Sequence, residues 1–171
     1  VKIGTGIGCG IVFDRHLYRG ADGCAGDIGH MRIEQTGPVC ACGNQGCLEA
    51  IASAAAIARR YSRASGTEVA GAREVVEALV RGDRVAAAVW DSAVDALALG
   101  LSHVASLIQP EVVILGGGLA EAGEHLFVPL EERLRSMLTY VPAPALARAS
   151  AGENAGLLGS ALLARRAAGA R

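Results

Sequence analysis

Apolar residues in the first third of the chain alternate with glycine and polar residues over short distances, and this texture changes after residue 47. The runs VKIGTGIGCGIVF, LYRG and HMRIE are β-branched and bounded by glycine, and a period of two predicts strands of a meander. The segment GADGCAGDIG joins the second run to the third. From Leu48 the period lengthens. LEAIASAAAIARRYSRA puts apolar residues at 48, 51, 55 and 58, the face of one helix. AREVVEALVRG predicts a second helix, and RVAAAVWDSAVDALALGLSHVASLIQ a long third one that Pro110 stops. EVVILGGG is a short, buried-type strand running into three glycines. EHLFVPLEERLRSML predicts a helix in spite of Pro129, Leu146 to Ser150 a weak strand, and GLLGSALLARRAA a closing helix. Strands, then helices, then a strand–glycine–helix unit predict an α/β domain. There is no internal repeat and no low-complexity linker.

The composition narrows the classes. The chain has 171 residues, 51% apolar and 19% charged, which suits one domain with a real core and excludes a disordered chain. Aromatics make up only 4%, so small aliphatic side chains must fill that core. The net charge is −1 and the arginines are dispersed, so no basic stripe offers a nucleic-acid surface. No apolar run approaches the ~20 residues of a membrane span, no signal peptide opens the chain, and a cytoplasmic location is expected. The chain starts without Met inside a predicted strand and reads as a piece excised from a longer protein, its one evident boundary at Val1. Five cysteines (Cys9, Cys24, Cys40, Cys42 and Cys47) are an odd and clustered set, unlike a secreted disulfide framework.

The cluster CACGNQGC is the candidate chemistry. Cys40, Cys42 and Cys47 can supply three thiolates to a tetrahedral zinc, with Gly43 and Gly46 letting the backbone turn tightly around it. His30 is the nearest fourth ligand of the right type. Free thiols, or a Cys40–Cys47 bridge leaving Cys42 over, are the alternative. Three cysteines and a histidine leave no open coordination position, so such a site is structural. Asp27 and Glu49 flank it in sequence, three residues before His30 and two after Cys47. Carboxylates and imidazoles bind polyols by pairing with adjacent hydroxyls, and a knot fixing His30 and Cys47 would fix both acids. Glycine loops at 4–8 and 116–118 follow predicted strands and are capable of cradling phosphate, although on sequence alone a tight turn is the commoner explanation of either.

GTGIGCGIV, GDIGHMRIE, GPVCACGNQGCLEAIAS, ILGGG and AGLLGSALL together resemble the ROK family of bacterial sugar kinases and sugar-responsive repressors, over almost the whole chain. The resemblance implies that His30, Cys40, Cys42 and Cys47 hold a structural Zn2+. It implies an actin-like, ribonuclease-H-like α/β fold of two halves, with residues 1–171 as the second half. It further implies that Asp27, His30 and Glu49 contact sugar hydroxyls, Asp27 standing where the family motif usually has Glu. In the family's kinases Thr5 and Gly6 would line nucleotide phosphates, and Gly116, Gly117 and Gly118 would lie by the adenosine.

Two functions follow from the resemblance. The first, favoured by GDIGH with its Asp, by the opening VKIGTGIG and by LYRGADG, is the sugar-effector and oligomerisation domain of a ROK transcriptional regulator. Its DNA contacts would be made by an absent upstream domain, and its state would be a homodimer or homotetramer. The second is the C-terminal half of a glucokinase-like enzyme using ATP and Mg2+. Under either, no residue of this segment is assigned a catalytic role and the segment alone is expected to be inactive.

Overall fold

In the computed structural model, which describes residues 1–169, the strands are shorter and differently paired than the sequence predicts. The last two residues of the expected 1–171 domain lie outside the described residues. β1 (Lys2–Ile3) and β2 (Ile7–Gly8) pair antiparallel, with Ile3 opposite Ile7. β3 (Ile11–Phe13) and β4 (His16–Tyr18) form a hairpin whose turn residues, Asp14 and Arg15, have φ of 48° and 65°. Such a left-handed pair matches the twist of the two strands. β5 (Val112–Leu115) and β6 (Ala145–Arg148) pair in parallel, which places the weak strand expected near Leu146 slightly earlier. Lys2 bridges Gly116 in parallel, with Ile3 N–H donating to Gly116 O and Gly116 N–H to Val1 O. The result is three two-stranded sheets, with β1 joined to the end of β5 by that one bridge.

Two expected elements are corrected. HMRIE is not a strand. Ile28–His30 form one 3-10 turn, and Arg32 makes a single bridge, to Cys47. Ile33 N–H donates to Gly46 O and Leu48 N–H to Met31 O, so this backbone pairs with the cysteine loop instead of with β4. The helix expected from Leu48 is two helices, α1 (Leu48–Ala52) and α2 (Ala54–Ser65). Between them Ser53 is extended (ψ 155°) and caps α2, its Oγ accepting from Ala56 N–H at 3.1 Å. Ser53 closes one helix and opens the next because its hydroxyl serves as an N-cap. The break shifts the periodicity, and Ala55, expected inward, is exposed while Ala56 and Ile57 are buried.

α3 (Ala72–Val80) and α4 (Arg84–Ile108) follow, with Asp83 capping α4 by accepting from Val85 and Ala86 N–H. Hydrogen bonds from these donors and from Tyr61 hold the Asp83 carboxyl below its usual pKa. α4 is the hub. Its Val94, Leu97 and Leu101 are fully buried, together with Leu48 and Ile51 of α1, Val75 of α3, and Ile3 and Leu115 of the strands. Contrary to the sequence reading, α4 is long and apolar enough to cross a membrane by length and composition, yet most of that apolar window is buried in this core.

α5 (Glu124–Met137) completes the core through Leu126, Leu130 and Leu134 and holds Pro129 in its interior. Proline lacks the N–H that would reach the carbonyl four residues back. That carbonyl belongs to His125, and the buried Trp90 indole N–H of α4 takes it at 3.0 Å. The proline is thereby accommodated by a tertiary bond. α6 (Ala155–Gly169) closes the described chain and leaves Leu157 and Leu158 exposed. Of the cysteines outside the cluster, Cys9 is half-buried and Cys24 exposed.

Candidate functional site

The cysteine loop is shaped by its own backbone. Cys40 N–H donates to Asn44 O at 2.8 Å and Gly43 N–H to Cys40 O at 3.0 Å, a tight turn that needs Gly43 at φ 91°. Gly46, at φ 70°, donates to Pro38 O and lies so close to the Glu34 carbonyl that a Cβ there would overlap it. Gly46→Ala is therefore expected to destabilise the protein by about 3 kcal/mol or more, combining left-handed strain with a backbone clash. A denaturant titration measures this.

The turn brings four donor atoms together. His30 Nδ1 lies 3.6 Å from Cys40 Sγ, Cys42 Sγ lies 3.7 Å from Cys47 Sγ, and all four atoms fall within 4.8 Å of one another. The sulfurs are far outside the roughly 2 Å of a disulfide bond. A tetrahedral zinc with Zn–S of about 2.3 Å and Zn–N of about 2.0 Å sets S···S edges of about 3.8 Å and S···N edges of about 3.5 Å. The His30–Cys40 and Cys42–Cys47 edges lie close to these values, so the donor set fits that ion in kind. The thiols respond to their surroundings in opposite ways. A hydrogen bond from the Asn44 backbone lowers Cys42 to about 7, whereas burial pushes Cys47 up to about 12.

Glu49 stands in the first turn of α1, directly after the knot. Its Oε2 accepts from Ile7 N–H at 2.8 Å. Gly6 supports the same carboxylate from beneath, since a Cβ at that position would come within 2.5 Å of Oε2. Gly29, between Asp27 and His30, packs against the Ile7 carbonyl and faces Glu49 Oε2. Asp27 is exposed, heads the Ile28–His30 turn, and makes no side-chain capping bond. Glu49 Oε2 thus faces the backbone that runs from Asp27 to His30. His30 turns Nδ1 to the sulfurs, which leaves Nε2 for a second partner.

The two glycine loops are held differently. Thr5 lines an open cleft of about 700 Å³ between α2 and α3, beside Ala54, Ala58, Arg59 and Arg63. Gly6, Gly116, Gly117 and Gly118 do not line it. Gly116 is occupied by pairing with β1, and Gly117, at φ 87°, approaches Ile3 closely enough that a Cβ would lie 2.5 Å from its carbonyl. Only Gly118 of the three faces open space. The link that the sequence did not reveal is Ile7, whose backbone N–H ties the first loop to Glu49. A backbone donor carries no side-chain signature.

This chain belongs to the ROK family, whose family model matches residues 1–167. It is 39% identical over 176 residues to a glucokinase of Thermotoga maritima, covering 94% of this chain and 56% of that protein. Among solved structures, a ROK hexokinase from Thermus thermophilus superposes with TM-score 0.87 at 38% identity, over 94% of this chain and 54% of its own. A ROK family glucokinase from Streptomyces griseus, in complex with glucose and AMPPNP, gives 0.83 at 33%, over 96% and 59%. A ROK family transcriptional regulator gives 0.74 at 28%, over 86% and 40%. The chain spans about half the length of the curated relatives it matches. These similarities overturn the reading as a regulator domain. The traits that suggested it, an Asp in GDIGH and the flanking VKIGTGIG and LYRGADG, occur in a chain more similar to glucokinases than to that regulator.

Proposed function

We propose that this chain is the C-terminal, sugar-holding half of an ATP-dependent ROK sugar kinase of the glucokinase type, built on an actin-like nucleotide-binding fold. The observation that carries the proposal is the seating of Glu49, between the glycine loop at Ile7 and the knot at Cys47, in a chain similar throughout its length to glucokinases. Asp27, His30 Nε2 and Glu49 Oε1 pair with adjacent hydroxyls of a hexose and orient the one to be phosphorylated. Thr5 and Gly6 face the nucleotide phosphates, and the loop of Gly116, Gly117 and Gly118 meets the adenosine through Gly118, with Mg2+ accompanying the nucleotide. Gly6 then serves both substrates, because its missing side chain also makes room for Glu49.

His30, Cys40, Cys42 and Cys47 would hold zinc. With all four positions taken by protein, zinc supplies rigidity and no open coordination site. His30 consequently divides its ring, Nδ1 for the knot and Nε2 for the sugar. Orientation of this kind lowers a barrier by removing motion before the reaction, not by adding chemistry. Deprotonation of the attacking hydroxyl is assigned to no residue of this chain.

The test is ADP release by the full-length protein with ATP, Mg2+ and a panel of hexoses. Turnover dependent on one hexose is expected, at a rate of about 1–100 per second. Sugar binding with no ADP release under any hexose would refute the kinase reading.

A further inference from the structure

α1 is five residues long, too short to hold its shape by itself, yet it carries Glu49. Its N-terminal end is tied twice, by Leu48 N–H to Met31 O and by Ile7 N–H to the Glu49 carboxylate. Its C-terminal end faces a problem created by the break at Ser53. In an unbroken helix the Ala55 N–H would take the Ile51 carbonyl. The extended Ser53 carries the backbone away, and Ala54 N–H donates to Gly4 O instead. The donor to Ile51 O is the Arg60 guanidinium of α2, at 2.9 Å, and the other arm of the same group reaches Ser92 Oγ of α4 at 2.6 Å.

We infer that Arg60 is a positioning residue for sugar binding, a half-buried latch that pins the end of α1 to the core helix α4 and so fixes the Glu49 carboxylate. This rests on the reading of Glu49 as a sugar ligand. Arg60 touches neither substrate. It acts through the Ile51 carbonyl, two residues along a one-turn helix from Glu49. A planar guanidinium with two arms can serve a carbonyl and a hydroxyl at once, which an ammonium on a flexible stem does less well. The effect belongs on the sugar side. The Thr5 cleft is walled by the neighbouring Arg59 and Arg63, whereas Arg60 turns the opposite way, to α1 and α4.

The experiment compares Arg60→Met, Arg60→Lys and Ser92→Ala with wild type in the full-length protein, by kinetics and by amide hydrogen exchange over residues 48–53. Arg60→Met is expected to raise the KM for hexose about tenfold while leaving the KM for ATP within about twofold, and to speed exchange in α1. Arg60→Lys should recover part of both effects, and Ser92→Ala should move both in the same direction by less. A purely structural role would lower the thermal midpoint with the two KM values unchanged or shifted together, and that result would overturn the inference. So would unchanged α1 exchange in Arg60→Met, or in Ser92→Ala should Arg60→Met fail to fold. A wild-type protein that turns over no hexose would retire the kinase reading, and exchange in α1 would then decide the latch.

Discussion

Cys47→Ser in the full-length protein is expected to strip the metal, lower the thermal midpoint by about 5 °C or more, and abolish hexose phosphorylation. Cys47 is fully buried, sits at the N-cap position of α1, and is the thiol of the cluster nearest to Glu49 in sequence. A hydroxyl there would remove one of four donors and leave a buried polar group facing three thiol and imidazole partners. Metal content by mass spectrometry, a thermal scan and the ADP assay form one measurement set. Cys24→Ser, at an exposed cysteine outside the cluster, should leave all three unchanged. Full zinc content with normal turnover in Cys47→Ser would sink the knot as a support for the site. The pH dependence has a definite sign. Ligand thiols bind deprotonated, and without an ion Cys42 lies at about 7 and Cys47 near 12. Metal uptake therefore releases protons: competition at Cys47 weakens zinc binding as the pH falls below about 12, and zinc retention is expected to fall more steeply below the Cys42 value of about 7.

Much of this arrangement could be read from residue types alone, and the parts that could not have physical reasons. The helices at α3, α4 and α5 follow their apolar period because each buries one stripe against the core, and nothing interrupts the backbone ladder. That His30, Cys40, Cys42 and Cys47 come together was legible because few side chains bind soft metals, and those that do stand out in a chain of small aliphatics. The Ser53 break was hidden because alanine on either side suits a helix face and a helix start equally. HMRIE has the composition of a strand, but its backbone partner is a glycine turn held by the knot, and composition says nothing about partners. Pro129 was tolerated for a reason located 39 residues away, in the Trp90 indole. The choice between kinase and regulator was misread because both are built on the same scaffold, so Asp27 and the runs VKIGTGIG and LYRGADG carried more weight than they could bear.

Asp27 and Glu49 separate binding from folding, and their variants should diverge accordingly. Asp27→Ala is expected to lower kcat/KM for hexose about 100-fold, some 2.7 kcal/mol of lost transition-state stabilisation, while the thermal midpoint stays within about 1 °C. Its carboxylate is exposed and makes no capping bond, so the fold has nothing to lose. Glu49→Ala should suffer a similar kinetic loss together with about 1–3 kcal/mol of stability, because Ile7 N–H loses its acceptor in a half-buried setting. Asp27→Glu restores the residue usual in the family motif and lengthens the reach by one methylene. If Asp27 holds a hydroxyl directly, that variant keeps most of the activity and shifts mainly the KM or the preferred hexose. Asp27→Ala with undiminished hexose turnover would remove Asp27 from the site. The sugar would then have to be held by His30 and Glu49, the two groups that the knot and the glycine loop already immobilise.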